Sequence, residues 1–161
     1  MHLETHLGTG KKVIIKLPLT LAIIQAILVK DSGQTFAVPA SQVSEIVRTK
    51  KKDIKSLGTF EAIDARRHII PVLHLHNLLS LENTCEPEEC ELLVTYAGHE
   101  ETKLGLAVDS VVRQQDVLVK SLDETLSKIR GVSGGAILGD GQVVLVLDVA
   151  QFISRRKDQR V

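Results

Sequence analysis

Short runs of branched aliphatic residues, separated by small polar clusters, recur along the chain. Leu21 to Val29 and Thr35 to Val38 flank Asp31-Ser32-Gly33, residues that tolerate positive φ, and this spacing predicts a β-hairpin. Glu61 to Asp64 and His68 to Leu75 flank Ala65-Arg66-Arg67 in the same way, and Glu91 to Tyr96 and Lys103 to Val108 flank residues 97–101. Ala136 to Leu138 and Gln142 to Leu145 enclose Gly139-Asp140-Gly141, where the Asp-Gly pair predicts a two-residue type I′ turn. Short strands with turns between them make the chain all-β. Helical spacing is confined to Leu75 to Leu81, Leu122 to Ile129 and Val149 to Arg155.

The pattern also repeats. Ile27-Leu28-Val29 followed by Gly33 returns 65 residues later as Leu92-Leu93-Val94 followed by Gly98, and Ile46-Val47-Arg48 returns at the same offset as Val111-Val112-Arg113. His68 to Leu79 returns 74 residues later as Gln142 to Ile153. Two tandem copies of one unit follow, each with about five strands, and such aliphatic strands suit small closed barrels, whose closure removes exposed edges. Positions related by the repeat are expected to be equally buried: Val72 with Val146, and Leu73 with Leu147. The acidic stretch Glu82 to Glu91 reads as the link between the copies, and Lys50-Lys51-Lys52 as a solvated loop.

Charge and composition remove whole classes of function. The 20 basic and 20 acidic residues cancel to a formal net charge of zero, and 3 Phe and 1 Tyr are the only aromatics among Phe, Tyr and Trp. Without a basic surface or stacking platforms, nucleic acid is not an expected partner. The longest apolar run, Leu17 to Val29, has 13 residues interrupted by Pro18, Thr20 and Gln25, short of the about 20 a spanning helix needs, so no direct membrane insertion is expected. The opening residues do not read as a secretory signal, and Cys85 and Cys90 read as free thiols of a reducing compartment. A cytoplasmic location is expected.

Three clusters invite a chemical reading. Gly131-Val132-Ser133-Gly134-Gly135 is similar to the glycine-flanked nucleophile of chymotrypsin-like proteases and makes Ser133 the centre of a serine hydrolase alternative. Val132 stands where those enzymes carry an acidic residue, and serine and glycine before a strand more commonly shape a bend. His74 and His76, two apart on a strand, would face one side and could share a metal ion with a third ligand, and Cys85 and Cys90 raise the same question, but nothing else clusters with either pair. Gly8-Thr9-Gly10 could approach a phosphate but lacks the rest of a pocket. No catalytic residue, metal ligand or cofactor site is expected.

Gly10 to Ile24, with Leu17-Pro18-Leu19-Thr20-Leu21-Ala22 at its centre, resembles the junction between the ATP-binding domain and the C-terminal regulatory domain of the chemotaxis histidine kinase CheA. Phe36-Ala37-Val38-Pro39, Ile70-Pro71-Val72, Val111 to Lys120 and Ile137-Leu138-Gly139-Asp140-Gly141 continue the resemblance to the end. The coupling protein CheW shares the tandem-barrel domain, so a free-standing CheW-like adaptor is the nearer alternative; the Leu17 to Ala22 stretch favours the kinase. The family usually carries Gly where Arg67 sits.

The resemblance implies two tandem five-stranded SH3-like β-barrels with a few short helices. It assigns residues 1–18 to the end of the kinase's ATP-binding domain and 19–161 to the CheW-like domain. The first barrel is expected at about 19–84 and the second at about 85–155, their terminal strands free to exchange. It further implies a fragment without the phosphorylated-histidine domain, the dimerising helices or the body of the ATP-binding domain. Its expected role is a non-catalytic scaffold that binds CheW and the cytoplasmic tips of chemoreceptors, placing the parent kinase under receptor control. Carried onto this chain, the CheW contact falls on Leu57 and Ile69, with Arg66 at the rim. Strand alternation agrees in part: if Ile70 fills a barrel, Ile69 faces outward.

Overall fold

The computed structural model describes residues 2–5, 11–14, 21–84, 87–96, 103–120 and 128–158. Strands β1 (His2–Thr5) and β2 (Lys11–Ile14) form a small antiparallel sheet of their own. The first copy of the repeat then supplies β3 (Leu21–Asp31), β4 (Gln34–Pro39), β5 (Glu45–Lys50), β6 (Lys55–Leu57), β7 (Phe60–Ala65), β8 (His68–His74) and the short helix α1 (Leu75–Leu78). The second supplies β9 (Glu89–Tyr96), β10 (Lys103–Val108), β11 (Ser110–Lys120), β12 (Val132–Ile137), β13 (Val143–Leu147) and helix α2 (Val149–Asp158). Most of the expected Leu122 to Ile129 helix, and the turn at 97–101, lie outside the described residues.

Five strands close into a barrel in the order β11-β12-β13-β4-β3, and six form a sheet in the order β5-β9-β10-β8-β7-β6. Each sheet mixes strands from both sides of residue 84. The joints between copies include two parallel pairs, β4 with β13 (Phe36 opposite Leu145) and β8 with β10 (Val72 opposite Gly105). Exchanging every strand for its repeat partner (β3 for β9, β4 for β10, β5 for β11, β7 for β12, β8 for β13) converts one order into the other.

The difference between the sheets lies in closure. In the barrel, β11 is one strand of 11 residues whose end, Leu118 to Lys120, pairs with β12. Its counterpart is broken by a 3₁₀ turn at Lys51–Asp53 into β5, which pairs with β9, and β6, which pairs with β7. Val117, in the unbroken strand, points into the barrel interior and is 2% exposed, whereas Lys51, Lys52 and Asp53 leave the sheet in the 3₁₀ turn and the strand resumes at Lys55. The second sheet is therefore the same barrel with its closing strand split.

Three apolar clusters hold the molecule together. Ala26, Leu28, Ala37, Val117, Val144 and Val146 are among the residues that fill the closed barrel, and Ile63, Ile70, Val72, Leu92, Val94 and Ala107 fill the second. The largest lies in the seam: Ile27, Val29, Phe36 and Val38 of one sheet meet Leu93, Leu106 and Val108 of the other, with Phe152 of α2 in the same cluster. Strands β3, β4, β9 and β10 are thus covered on both faces, which is why they read as unbroken aliphatic runs rather than as alternating ones. Val72 and Val146 are both buried, as the repeat predicts, but Leu147 is buried in the seam while Leu73 is only half-buried. The offset of 74 preserves which way these side chains point, but the offset of 65 does not: Ile27 lies in the seam and Leu92 inside the second barrel, Leu28 inside the closed barrel and Leu93 in the seam.

The turns correct one expectation. Two-residue loops with both central residues at positive φ occur at Ser32-Gly33 (φ 50 and 76) and Arg66-Arg67 (φ 50 and 71), as type I′ geometry requires. Gly139-Asp140-Gly141 is not of this kind. Only Gly141 has positive φ (85), and its N–H donates to Leu138 O at 2.9 Å, giving a type I turn closed by a left-handed glycine. Asp140 takes the other role: its carboxylate accepts the Gln142 N–H at 3.0 Å.

Candidate partner-binding faces

Ile69 follows the Arg66-Arg67 turn and pairs with Asp64 across β7–β8, while its neighbour Ile70 points into the barrel. Ile69 is 65% exposed. Arg66, also exposed, lines a groove of ≈ 820 Å³ between β5 and the β7–β8 hairpin. On the same groove, Lys103 Nζ donates to Glu45 at 2.8 Å. That hydrogen bond holds the Glu45 carboxyl below the ordinary carboxylate range, an effect to which Arg66 adds, and pushes the Lys103 ammonium up.

Leu57 lies elsewhere. It is 44% exposed and pairs with Phe60 across the β6–β7 turn. Cross-strand partners share a face, so Leu57, Phe60, Asp64 and Ile69 all point outward, but Leu57 and Ile69 sit at opposite ends of β7, separated by about 13 Å along the strand. Arg66 lies in the turn that leads into the strand of Ile69, and Leu57 lies at the far end of the face that Ile69 shares.

A second face was not singled out from sequence. Ile23 on β3 pairs with Leu118 on β11, Leu118 with Ile137 on β12, and Ile137 with Val143 on β13. All four are exposed, Ile23 and Val143 at 73% and 69%, and they form one apolar row across four adjacent strands of the closed barrel. On the second barrel, the pair related to Ile137 and Val143 is Asp64 and Ile69. At that pair one barrel presents two aliphatic side chains and the other a carboxylate beside an isoleucine. Alternation within each strand carried this signal, but it needed the register to join four strands into one surface.

The residues of the chemical alternatives are engaged locally. Ser133 sits at a bulge of β12 and its hydroxyl donates to Val146 O at 3.3 Å. His76 belongs to α1 rather than to a strand, so it does not share a strand face with His74, which ends β8 and lies 2.6 Å from Glu61. Among the described residues no group of three or more His, Cys, Asp or Glu could hold a metal ion. Cys85 lies outside the described residues, and burial pushes the Cys90 thiol up. No helix among the described residues is long and apolar enough to cross a membrane.

With these faces in view, the sequence relationships are decisive. The CheW-like domain model matches residues 25–157. The chain belongs to the CheW-like domain family. It is 39% identical over 147 residues to the chemotaxis protein CheA of Bacillus subtilis, covering 91% of this chain and 22% of that protein. It is 35% identical over 158 residues to CheA of Borreliella burgdorferi, covering 98% of this chain and 18% of that protein. This CheW-like chain thus spans about a fifth of the length of these relatives. Its fold is that of the scaffolding protein TtCheW from Thermoanaerobacter tengcongensis, with a TM-score of 0.66 at 17% identity, over 82% of this chain and 92% of that one.

Proposed function

We propose that this chain is the regulatory CheW-like domain of a chemotaxis histidine kinase. In this reading residues 19–161 form a non-catalytic, cytoplasmic scaffold that binds the coupling protein CheW and chemoreceptor tips, and residues 1–18 are the end of the kinase's ATP-binding domain. The observation that carries the reading is the 39% identity to a CheA protein over 91% of this chain, against 17% to a solved CheW of the same fold. The faces support a binding role. An isoleucine 65% exposed beside an exposed arginine is a costly surface to leave in water and a good anchor for a partner.

CheW is assigned to the outward face of β6 to β8, with Ile69 and Leu57 as apolar anchors and Arg66 at the rim. A partner touching both anchors must cover the length of β7, well within the roughly 800 Å² per side of an ordinary interface. A binding titration of CheW against the chain tests the assignment. Truncating Ile69 or Leu57 to Ala costs about 1 to 2 kcal/mol each, a roughly five- to thirty-fold loss of affinity. Arg66→Ala costs less, and its effect shrinks as salt rises. Unchanged affinity in a folded Leu57→Ala, Ile69→Ala double variant moves the contact to the Ile23, Leu118, Ile137 and Val143 row.

A further inference from the structure

A buried polar cluster lies at the seam between the barrels, apart from both faces. Asp31, the last residue of β3, is 1% exposed. Its Oδ2 lies 3.5 Å from Nδ1 of His76 on α1, too far for a normal hydrogen bond. Among the described residues, these two atoms and the buried Ser32 Oγ have no hydrogen-bond partner. Asp109, in the step from β10 to β11, accepts the Ser32 N–H at 2.9 Å. The closed barrel thus contributes Asp31 and Ser32, the second barrel contributes His76, and Asp109 sits where the chain crosses from one to the other.

The surrounding charges are few. The His74 ring lies 5.3 Å from that of His76, and His74 Nε2 is 2.6 Å from Glu61 on β7. Lys51 lines the same ≈ 250 Å³ cavity as both histidines. Cys90 on β9 lies in the field of Lys51, Asp109 and Glu91, and Glu91 in turn accepts the Val111 N–H and pairs with Arg48. Burial, and then the charge of Asp109, push the Asp31 carboxyl above its ordinary range, while His76 acts in the opposite direction.

We propose that Asp31 and His76 hold one proton between them and that this proton latches the two barrels together. With it, either a carboxylate faces an imidazolium or a carboxyl faces a neutral imidazole, and with Asp109 the cluster carries one negative charge. Its release to solvent leaves the Asp31 and Asp109 carboxylates in the seam without the proton that offset their charge. The sign follows from linkage: the folded state holds the proton more tightly than the unfolded chain, so the latch is complete at low pH and is lost as pH rises through the pair's titration. Ile69 belongs to one barrel and Val143 to the other, so a loosened seam changes the angle between the two binding faces.

Hydrogen exchange of the 161-residue chain between about pH 4 and about pH 8, a range bracketing ordinary carboxylate and histidine titration, tests this. After correction for intrinsic rates, the opening constants of the seam amides in Ile27 to Val29 and Leu106 to Val108 rise with pH, by up to about tenfold per unit, the most that one released proton can give. The amides of Ile137 and Val143, at the end of the β12–β13 hairpin and outside the seam cluster, show no such rise. Asp31→Asn keeps the shape, cannot release the proton, and abolishes the rise. A flat profile in the parent, or the same rise in the variant, overturns the proposal. Should Asp31→Asn not fold, carboxyl-carbon and imidazole NMR on the unaltered chain decide: loss of the pair's last proton above the ordinary histidine range supports the latch, and loss within or below that range overturns it.

Discussion

Phe152 lies directly over the α-carbon of Gly131: a Cβ placed there would fall 2.0 Å from the phenyl ring. Gly131 has φ 84, its N–H donates to the Gln151 side chain at 2.9 Å, and its carbonyl accepts the Asp148 N–H at 2.8 Å. One glycine thus pins helix α2 to the barrel. Gly131→Ala lowers stability by about 2 to 4 kcal/mol, combining left-handed strain with overpacking. Phe152→Ala costs about 3 to 5 kcal/mol on its own. Because the clash needs both partners, the double variant loses less than the sum of the two; additivity in denaturant melts would refute the contact.

Arg67 holds φ 71 in a type I′ turn, a conformation that costs a residue with a Cβ roughly 1 to 2 kcal/mol. Glycine relieves that strain but returns part of the gain as unfolded-chain entropy. Arg67→Gly is expected to raise stability by up to about 1 kcal/mol with an unchanged denaturant slope. A loss of stability would mean that the Arg67 side chain makes a contact worth more than the strain.

The apolar row on the closed barrel is expected to be dispensable for folding. Ile137→Ser and Val143→Ser each shift stability by about 0.5 kcal/mol or less, since neither side chain is covered. Val144→Ala, one residue along and inside the barrel, costs about 1 kcal/mol or more. Thermal melts separate the two cases, and a large loss at Val143 would place that side chain in the core.

Much of this was legible before any coordinates. The repeat at offsets of 65 and 74 specified equivalent strands, and the aliphatic runs specified which of them would be buried. Alternation set Ile69 opposite to Ile70, so that a buried Ile70 meant an outward Ile69, and the exposures of 65% at Ile69 and 2% at Ile70 agree. The type I′ turn expected at Asp140-Gly141 was misplaced because Asp-Gly also suits a type I turn followed by a left-handed glycine, and the choice between them depends on the twist of the strands being joined. Leu57 was grouped with Ile69 on resemblance, and only the β6–β7–β8 register revealed that a strand's length separates them.

The sequence by itself determined the all-β class, the two copies of one unit and the opposite facing of neighbouring residues within a strand, because period-two alternation is a local property of the backbone. Tertiary structure alone decided which strands share a barrel, that a turn at Lys51–Asp53 splits one closing strand while β11 stays whole, and that Asp31 meets His76. Those outcomes depend on contacts between residues far apart in sequence, where interior volume and the cost of burying charge choose among pairings that local preference leaves equal.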